Sequence, residues 1–290
     1  LEEISALQYS RLSVTLAPST SPSSAVPIRS RPSPQTTKVY RTDYSEESLL
    51  SAFKGQDAII AAISGANAAE VQKKMIDAAV QAGVKRFIPG EFGTKADTEE
   101  LIKKAPIFGA KKEVTDYLKT KERDGLTWTG VITSGFFDWG LEVGFLGYDL
   151  ENHKAVIYNS GSEPHFTTTR PTIGKAVAAV LSKPEDTANK YIFVASFQTT
   201  QNEVLASLEK ASRKKWEISE TTSEESHKLG MNRFRRGDVG GSLQPLILSV
   251  VYDGEEGTFE ELDNRMLELP REDLDETVKA IYVGRFASKM

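Results

Sequence analysis

The stretch AIIAAISGANAAEVQKKMIDAAVQAGVKRFIPG (58–90) decides the reading of the fold. It opens on Ala58-Ile59-Ile60-Ala61-Ala62-Ile63, a continuous apolar run of the kind found in a parallel strand covered on both faces. Val71, Met75 and Ala79 then fall on one helix face, and Gly83 ends that helix. Lys85-Arg86-Phe87-Ile88 is the next strand, closed by Pro89-Gly90. A strand, a helix and a strand in succession make a βαβ unit, which implies parallel pairing.

The alternation extends both ways. Upstream, Lys38-Val39-Tyr40-Arg41 is a short strand, and Ser45 caps a helix over Glu46–Phe53. Downstream, a helix fits Phe108–Lys121 and a strand fits Leu126–Ile132. From residue 38 to 134 the expectation is therefore a doubly wound, Rossmann-like α/β sheet. Before it, Leu1, Ile4 and Leu7 recur at near-helical spacing, and residues 11–16 alternate as a strand. Residues 18–37 hold five of the twelve prolines and read as a loop. Beyond Ser134 comes an aromatic stretch (Phe136, Phe137, Trp139, Phe145, Tyr148) and then a strand at 155–158. Thr172 is expected to cap a helix over Ile173–Leu181, and a late strand covers 191–194. The remainder reads as mostly helical. Its last helix is expected to begin near Pro270, with Leu274, Val278 and Ile281 on one face.

Composition narrows the function. With 290 residues the chain has room for a sizeable core, and a net charge of -5 gives no reason to expect nucleic acid. Cysteine is absent, which excludes disulfides, thiolate nucleophiles and Cys-ligated zinc. His153, His165 and His227 have no HxxxH spacing, so no metal is expected. No apolar run nears the ~20 residues that span a bilayer, and no secretory segment is visible, so a cytoplasmic location is expected. Gly-x-Ser-x-Gly, Walker A and HExxH are also missing, which argues against hydrolases of those types. Leu1 stands where Met would open a chain, as in a fragment, a processed product or a shifted gene model.

VKRFIPGEFG (84–93), IFGAKKEVTDYL (107–118) and WTGVITSGFFDWG (128–140) together carry a resemblance. So do TDYSEESLLSAFKGQDAII (42–60), HFTTTRPTIGKAV (165–177) and FQTTQNEVLASLEKA (197–211). In order and spacing the chain resembles the NmrA-like, isoflavone-reductase-like group of atypical short-chain dehydrogenases, especially its fungal members. The resemblance implies a dinucleotide-binding domain over residues 1–140, with 166–200 returning to it, and a smaller, mostly helical substrate-side lobe from 141–165 and 201–290. It implies NADP or NAD as cofactor. In the family a strand and a Gly-x-x-Gly-x-x-Gly turn come first, and residues 1–9 read as the back half of the helix that follows. The expectation is a sheet lacking its first, central strand and a chain that binds the dinucleotide weakly. The Arg by which NADP-preferring relatives pair the 2′-phosphate is also missing from Ala17-Pro18-Ser19-Thr20. Arg29 and Arg31, in the Ser/Pro loop, are a weak substitute.

Carried over residue by residue, the resemblance makes Lys111 the general base or proton relay, its ammonium also holding the nicotinamide ribose. The alternative is a solvated Lys111-Lys112 pair. Asp43 would hydrogen-bond the adenine, or serve only as a helix N-terminal charge. Ser64 and Gly65 end one strand at the carboxyl edge where ligands bind such sheets, and Pro89 and Phe92 follow the next. A plain turn and ordinary packing are the competing readings. Gly90 stands where relatives often have Ser. Ser134, Phe136 and Phe137 would wall the nicotinamide and substrate, or simply join the lobes as core. His165, read as a loop residue, would act as an acid or donate a hydrogen bond to substrate; a lone loop histidine that does neither is the competing reading. Tyr117-x-x-x-Lys121 matches the dyad of ordinary short-chain dehydrogenases, but on alignment at the helix start the dyad lysine falls on Lys111 and the tyrosine place holds Ile107. The leading expectation is an NAD(P)H-dependent oxidoreductase for a small aromatic or carbonyl-type substrate, impaired by N-terminal truncation. A non-catalytic dinucleotide-sensing regulator and a non-functional fragment are the alternatives.

Overall fold

The computed structural model describes residues 15–18, 39–63, 65, 67–254 and 261–286. The near-helical spacing at 1–7 and most of the 18–37 stretch lie outside them. In chain order the elements are β1 (Thr15–Pro18), β2 (Val39–Thr42), α1 (Glu46–Phe53), β3 (Ala58–Ile60), α2 (Ala68–Gln81), β4 (Arg86–Ile88), α3 (Glu99–Lys104), α4 (Gly109–Lys121) and β5 (Thr127–Ile132). There follow β6 (Gly135–Phe136), α5 (Phe137–Glu142), β7 (Tyr148–Asp149), β8 (Lys154–Tyr158), β9 (His165–Thr168), α6 (Arg170–Ser182), β10 (Lys190–Phe193) and β11 (Phe197–Thr199). The last are α7 (Gln201–Ser212), β12 (Glu217–Thr221), α8 (Ser223–Arg235), α9 (Val239–Val251) and α10 (Leu274–Phe286).

The chain divides into two compact units. One takes the described residues up to Gly90 with Ala110–Gly130 and Val180–Tyr191; the other takes Glu91–Gly109, Val131–Ala179 and the described residues from Ile192. The first unit is built on parallel pairing, as the βαβ reading requires. β3 pairs with β4 with Ile60 opposite Ile88, and β4 pairs with β5 with Phe87 opposite Trp128. The order of this sheet is β10-β5-β4-β3, so β3 forms an edge. β1 and β2 pair in parallel as a separate two-stranded sheet. Among the described residues no strand joins the two sheets, and Ile60 on β3 is 41% exposed.

Helix formation in this unit follows local chemistry. The Ser45 side chain accepts the Ser48 N–H and caps α1. At the end of α2, Gly83 takes φ +74°, a conformation that favours glycine. Leu49, Phe53, Met75, Ile76, Phe87, Val114, Leu118 and Trp128 form the buried core.

The second unit combines helices with two three-stranded sheets, β11-β9-β6 and β12-β8-β7. Phe137, Leu141, Tyr148, Trp216, Leu248, Tyr252 and Val278 fill its core. Two helix starts differ from expectation. Thr169 rather than Thr172 accepts at the start of α6, taking the Thr172 N–H, while the Thr172 hydroxyl donates to Glu272. α10 begins at Leu274 rather than near Pro270, because the Asp273 carboxylate accepts the Glu276 N–H and so caps it there. Leu274 and Ile281 do pack with Val278 on the core, as their spacing implies. No helix among the described residues is long and apolar enough to cross a membrane.

Candidate functional site

The candidate site starts at the carboxyl ends of β3 and β4. Because these strands are parallel neighbours, their exits lie side by side. The Ala61 amide donates to Ile88 O at 2.8 Å, extending the pairing one residue past β3. Gly65 then takes φ +111°, and a Cβ built there would meet nothing within 4 Å. A side chain at that backbone angle is strained, while the open space lets a flat ligand approach the main chain. Pro89 and Gly90 leave β4, and Gly90 lies against Ala61. Ser64 lies outside the described residues.

Asp43 follows β2 directly. Its carboxylate accepts the Ser45 N–H at 2.9 Å. Hydrogen bonding from Ser45 holds its pKa below the ordinary value, so it stays ionised and acceptor-only. An exposed carboxylate at a strand end suits an amino or hydroxyl donor such as adenine or ribose, and repels a phosphate.

Lys111 sits half-buried on the first turn of α4. Its neighbour Lys112 pairs instead with Asp116, one turn on. The Tyr117/Lys121 pair is committed elsewhere. The Tyr117 hydroxyl donates to Asp77 Oδ1 at 2.6 Å, and Lys121 Nζ meets the same oxygen at 2.7 Å. The Lys121 pKa is raised, first by its bond to Asp77. A dyad lysine works by lowering the tyrosine pKa. Here its charge is matched by Asp77, so the pair fastens α4 to α2.

The remaining sequence-derived residues belong to the second unit. Phe92 is half-buried between Glu91 and Gly93. The Thr133 and Ser134 amides both donate to Gly93 O at 3.1 Å, which fixes the chain just past β5. Ser134 is buried with φ +52°, a left-handed conformation uncommon for serine. Phe136 is half-buried, while the Phe137 ring lies in the core, edge-on to Phe197 at 5.1 Å. His165 is a buried residue of β9 rather than a loop residue, its ring edge-on to Tyr252 at 4.9 Å. Burial pushes its pKa down to about 4, so it is neutral at pH 7.

Two residues of the first unit had no sequence signal as parts of this framework. Gln72 and Arg86 are polar, yet both are buried. Among the described residues no cluster of His, Asp and Glu has metal-site geometry. Gly65 offers open backbone and Asp43, after β2, an exposed acceptor. No described residue supplies a glycine turn for the pyrophosphate.

The family model described as the NmrA-like family matches residues 33–266. The chain belongs to the NmrA-like family. A relative named oxidoreductase aprR, from Aspergillus flavus, is 36% identical over 254 residues, 85% of this chain and 84% of its own. The solved structure of an isoflavone reductase superimposes with a TM-score of 0.67 at 20% identity, over 91% of this chain and 89% of that one. A structure titled AtPrR2 with NADP+ and (+)pinoresinol reaches 0.63 at 22% identity, over 84% of this chain and 82% of that one. The two structural likenesses establish the Rossmann-like fold of this NmrA-like chain.

Proposed function

We propose that this NmrA-like chain is an NAD(P)H-dependent oxidoreductase for a small aromatic or carbonyl-type substrate. The observation that carries the reading is the pair of parallel strand exits in the first unit, where the Gly90 turn past β4 closes on Ala61 just past β3. Its likeness to oxidoreductase aprR supports the reaction class. When bound, NADPH would supply hydride. Gly65 and Pro89 would approach the nicotinamide end, and Asp43 the adenine end. Lys111 holds the proton that the reduced substrate takes up, and its ammonium steadies the ribose hydroxyls. For Phe92, Ser134 and Phe136, which belong to the second unit, a role toward nicotinamide or substrate rests on the family resemblance alone. Phe137 belongs to the core, and His165, being neutral, serves as a hydrogen-bond donor or acceptor.

The test is NADPH oxidation with a panel of small carbonyl and aromatic acceptors at millimolar NADPH. Turnover that is lost in Lys111→Ala supports the enzyme. Dinucleotide binding without turnover, unaffected by Lys111→Ala, would make the chain a sensor, and no binding at all a non-functional one.

A further inference from the structure

Gln72, on α2, is only 5% exposed. Its Oε1 accepts the Gly90 N–H at 2.8 Å. A Cβ at Gly90 would lie 3.3 Å from Ala61 O and 3.3 Å from Gln72 Nε2, so the turn is closed on both sides. Ala61 is the first residue past β3, and Gly90 the second past β4. One side chain of the covering helix thus reaches the point where the two strand exits meet. A main-chain N–H partly shielded from water favours a fixed acceptor, and Gln72 provides one in a single orientation of the Pro89–Gly90 peptide.

We propose that Gln72 is a positioning residue: it sets the conformation of the Pro89–Gly90 turn and thereby the nicotinamide side of the candidate site. The functional half of this inference rests on the oxidoreductase reading above. Gln72 touches neither substrate nor reacting atoms in this scheme and acts through the Gly90 amide. The same geometry explains why Gly occupies position 90. A side chain there crowds Ala61 O and the Gln72 amide, and Gln72 must shift to admit it.

The test compares full-length wild type with Gln72→Met, which keeps the volume and removes the acceptor, and Gln72→Glu, which keeps an oxygen in place. Amide hydrogen exchange at Gly90 reads the turn, and steady-state KM and kcat for NADPH read the site. In Gln72→Met, Gly90 exchange should rise about tenfold or more, as expected for loss of one partly buried hydrogen bond, while α2 amides keep their rates. KM for NADPH should rise about tenfold by the same energy, with kcat little changed. Gln72→Glu should restore most of the Gly90 protection. Unchanged Gly90 exchange in Gln72→Met would overturn the assignment. Faster exchange with an unmoved KM would overturn its functional half. Absence of any NADPH turnover in the wild type would instead overturn the oxidoreductase reading, leaving Gly90 exchange to decide the role of Gln72.

Discussion

Arg86 Nη1 donates to Thr129 Oγ1 at 2.6 Å, and neither residue reaches solvent. The guanidinium also donates to Thr127 Oγ1 at 2.8 Å, Thr187 Oγ1 at 3.1 Å and Pro184 O at 2.6 Å. Each threonine hydroxyl in turn donates its own hydrogen to a backbone carbonyl, of Lys85, Thr187 or Val180. A cation inside the first unit is thus matched by hydroxyls whose lone pairs are turned toward it. Thr129→Val removes one acceptor and leaves a buried charged donor unmatched. The expected loss is about 2–3 kcal/mol, read as a lower denaturant midpoint with unchanged slope.

His165 gives the fold a pH dependence. Its pKa is about 4 when folded against the ordinary 6.5 when unfolded. Between those values the unfolded chain binds more protons, so this stability is fully present above about pH 6.5 and is lost as pH falls toward 4. The effect amounts to about 3 kcal/mol. His165→Phe, which keeps a ring against Tyr252, should flatten the fall in unfolding free energy between pH 6.5 and 4. An unchanged profile would show that His165 is not the titrating group.

Lys111 and Tyr117 separate two proton donors on one helix. Lys111→Ala should lower kcat about 100-fold or more, the usual range for a lost general acid or base. Tyr117→Phe should leave kcat at the wild-type value and cost about 1 kcal/mol of stability through the lost bond to Asp77. The reverse pattern, by steady-state kinetics, would move the chemistry to the Tyr-x-x-x-Lys pair.

Ser134→Gly should relieve the strained backbone. Left-handed serine costs about 1–2 kcal/mol, partly offset by the extra freedom of unfolded glycine, so the variant should be as stable as wild type or more stable by about 1 kcal/mol. If the hydroxyl serves the nicotinamide side, turnover falls while thermal stability holds or rises. A fall in both together would point to a purely structural serine.

Much of the first unit was legible because its signals are local. Ser45 precedes an amphipathic helix and caps it, and the apolar run from Ala58 does form a strand, although the strand ends at Ile60. The opposite signal failed at His165-Phe166-Thr167-Thr168, where two threonines and a histidine hide a fully buried strand. Asp273, a cap just past Pro270, was invisible beside the stronger proline signal. Gln72 and Arg86 were not legible at all. Their acceptors and donors lie 18 to 101 residues away, so only the packed fold reveals that they point inward.

The most direct test of the oxidoreductase reading is NADPH-dependent turnover by the chain and its Lys111→Ala variant, with NADPH varied from micromolar to millimolar against a carbonyl panel. The prediction is turnover in the wild-type chain that nearly vanishes in the variant. Equal rates in both proteins, or no turnover in either, would contradict it.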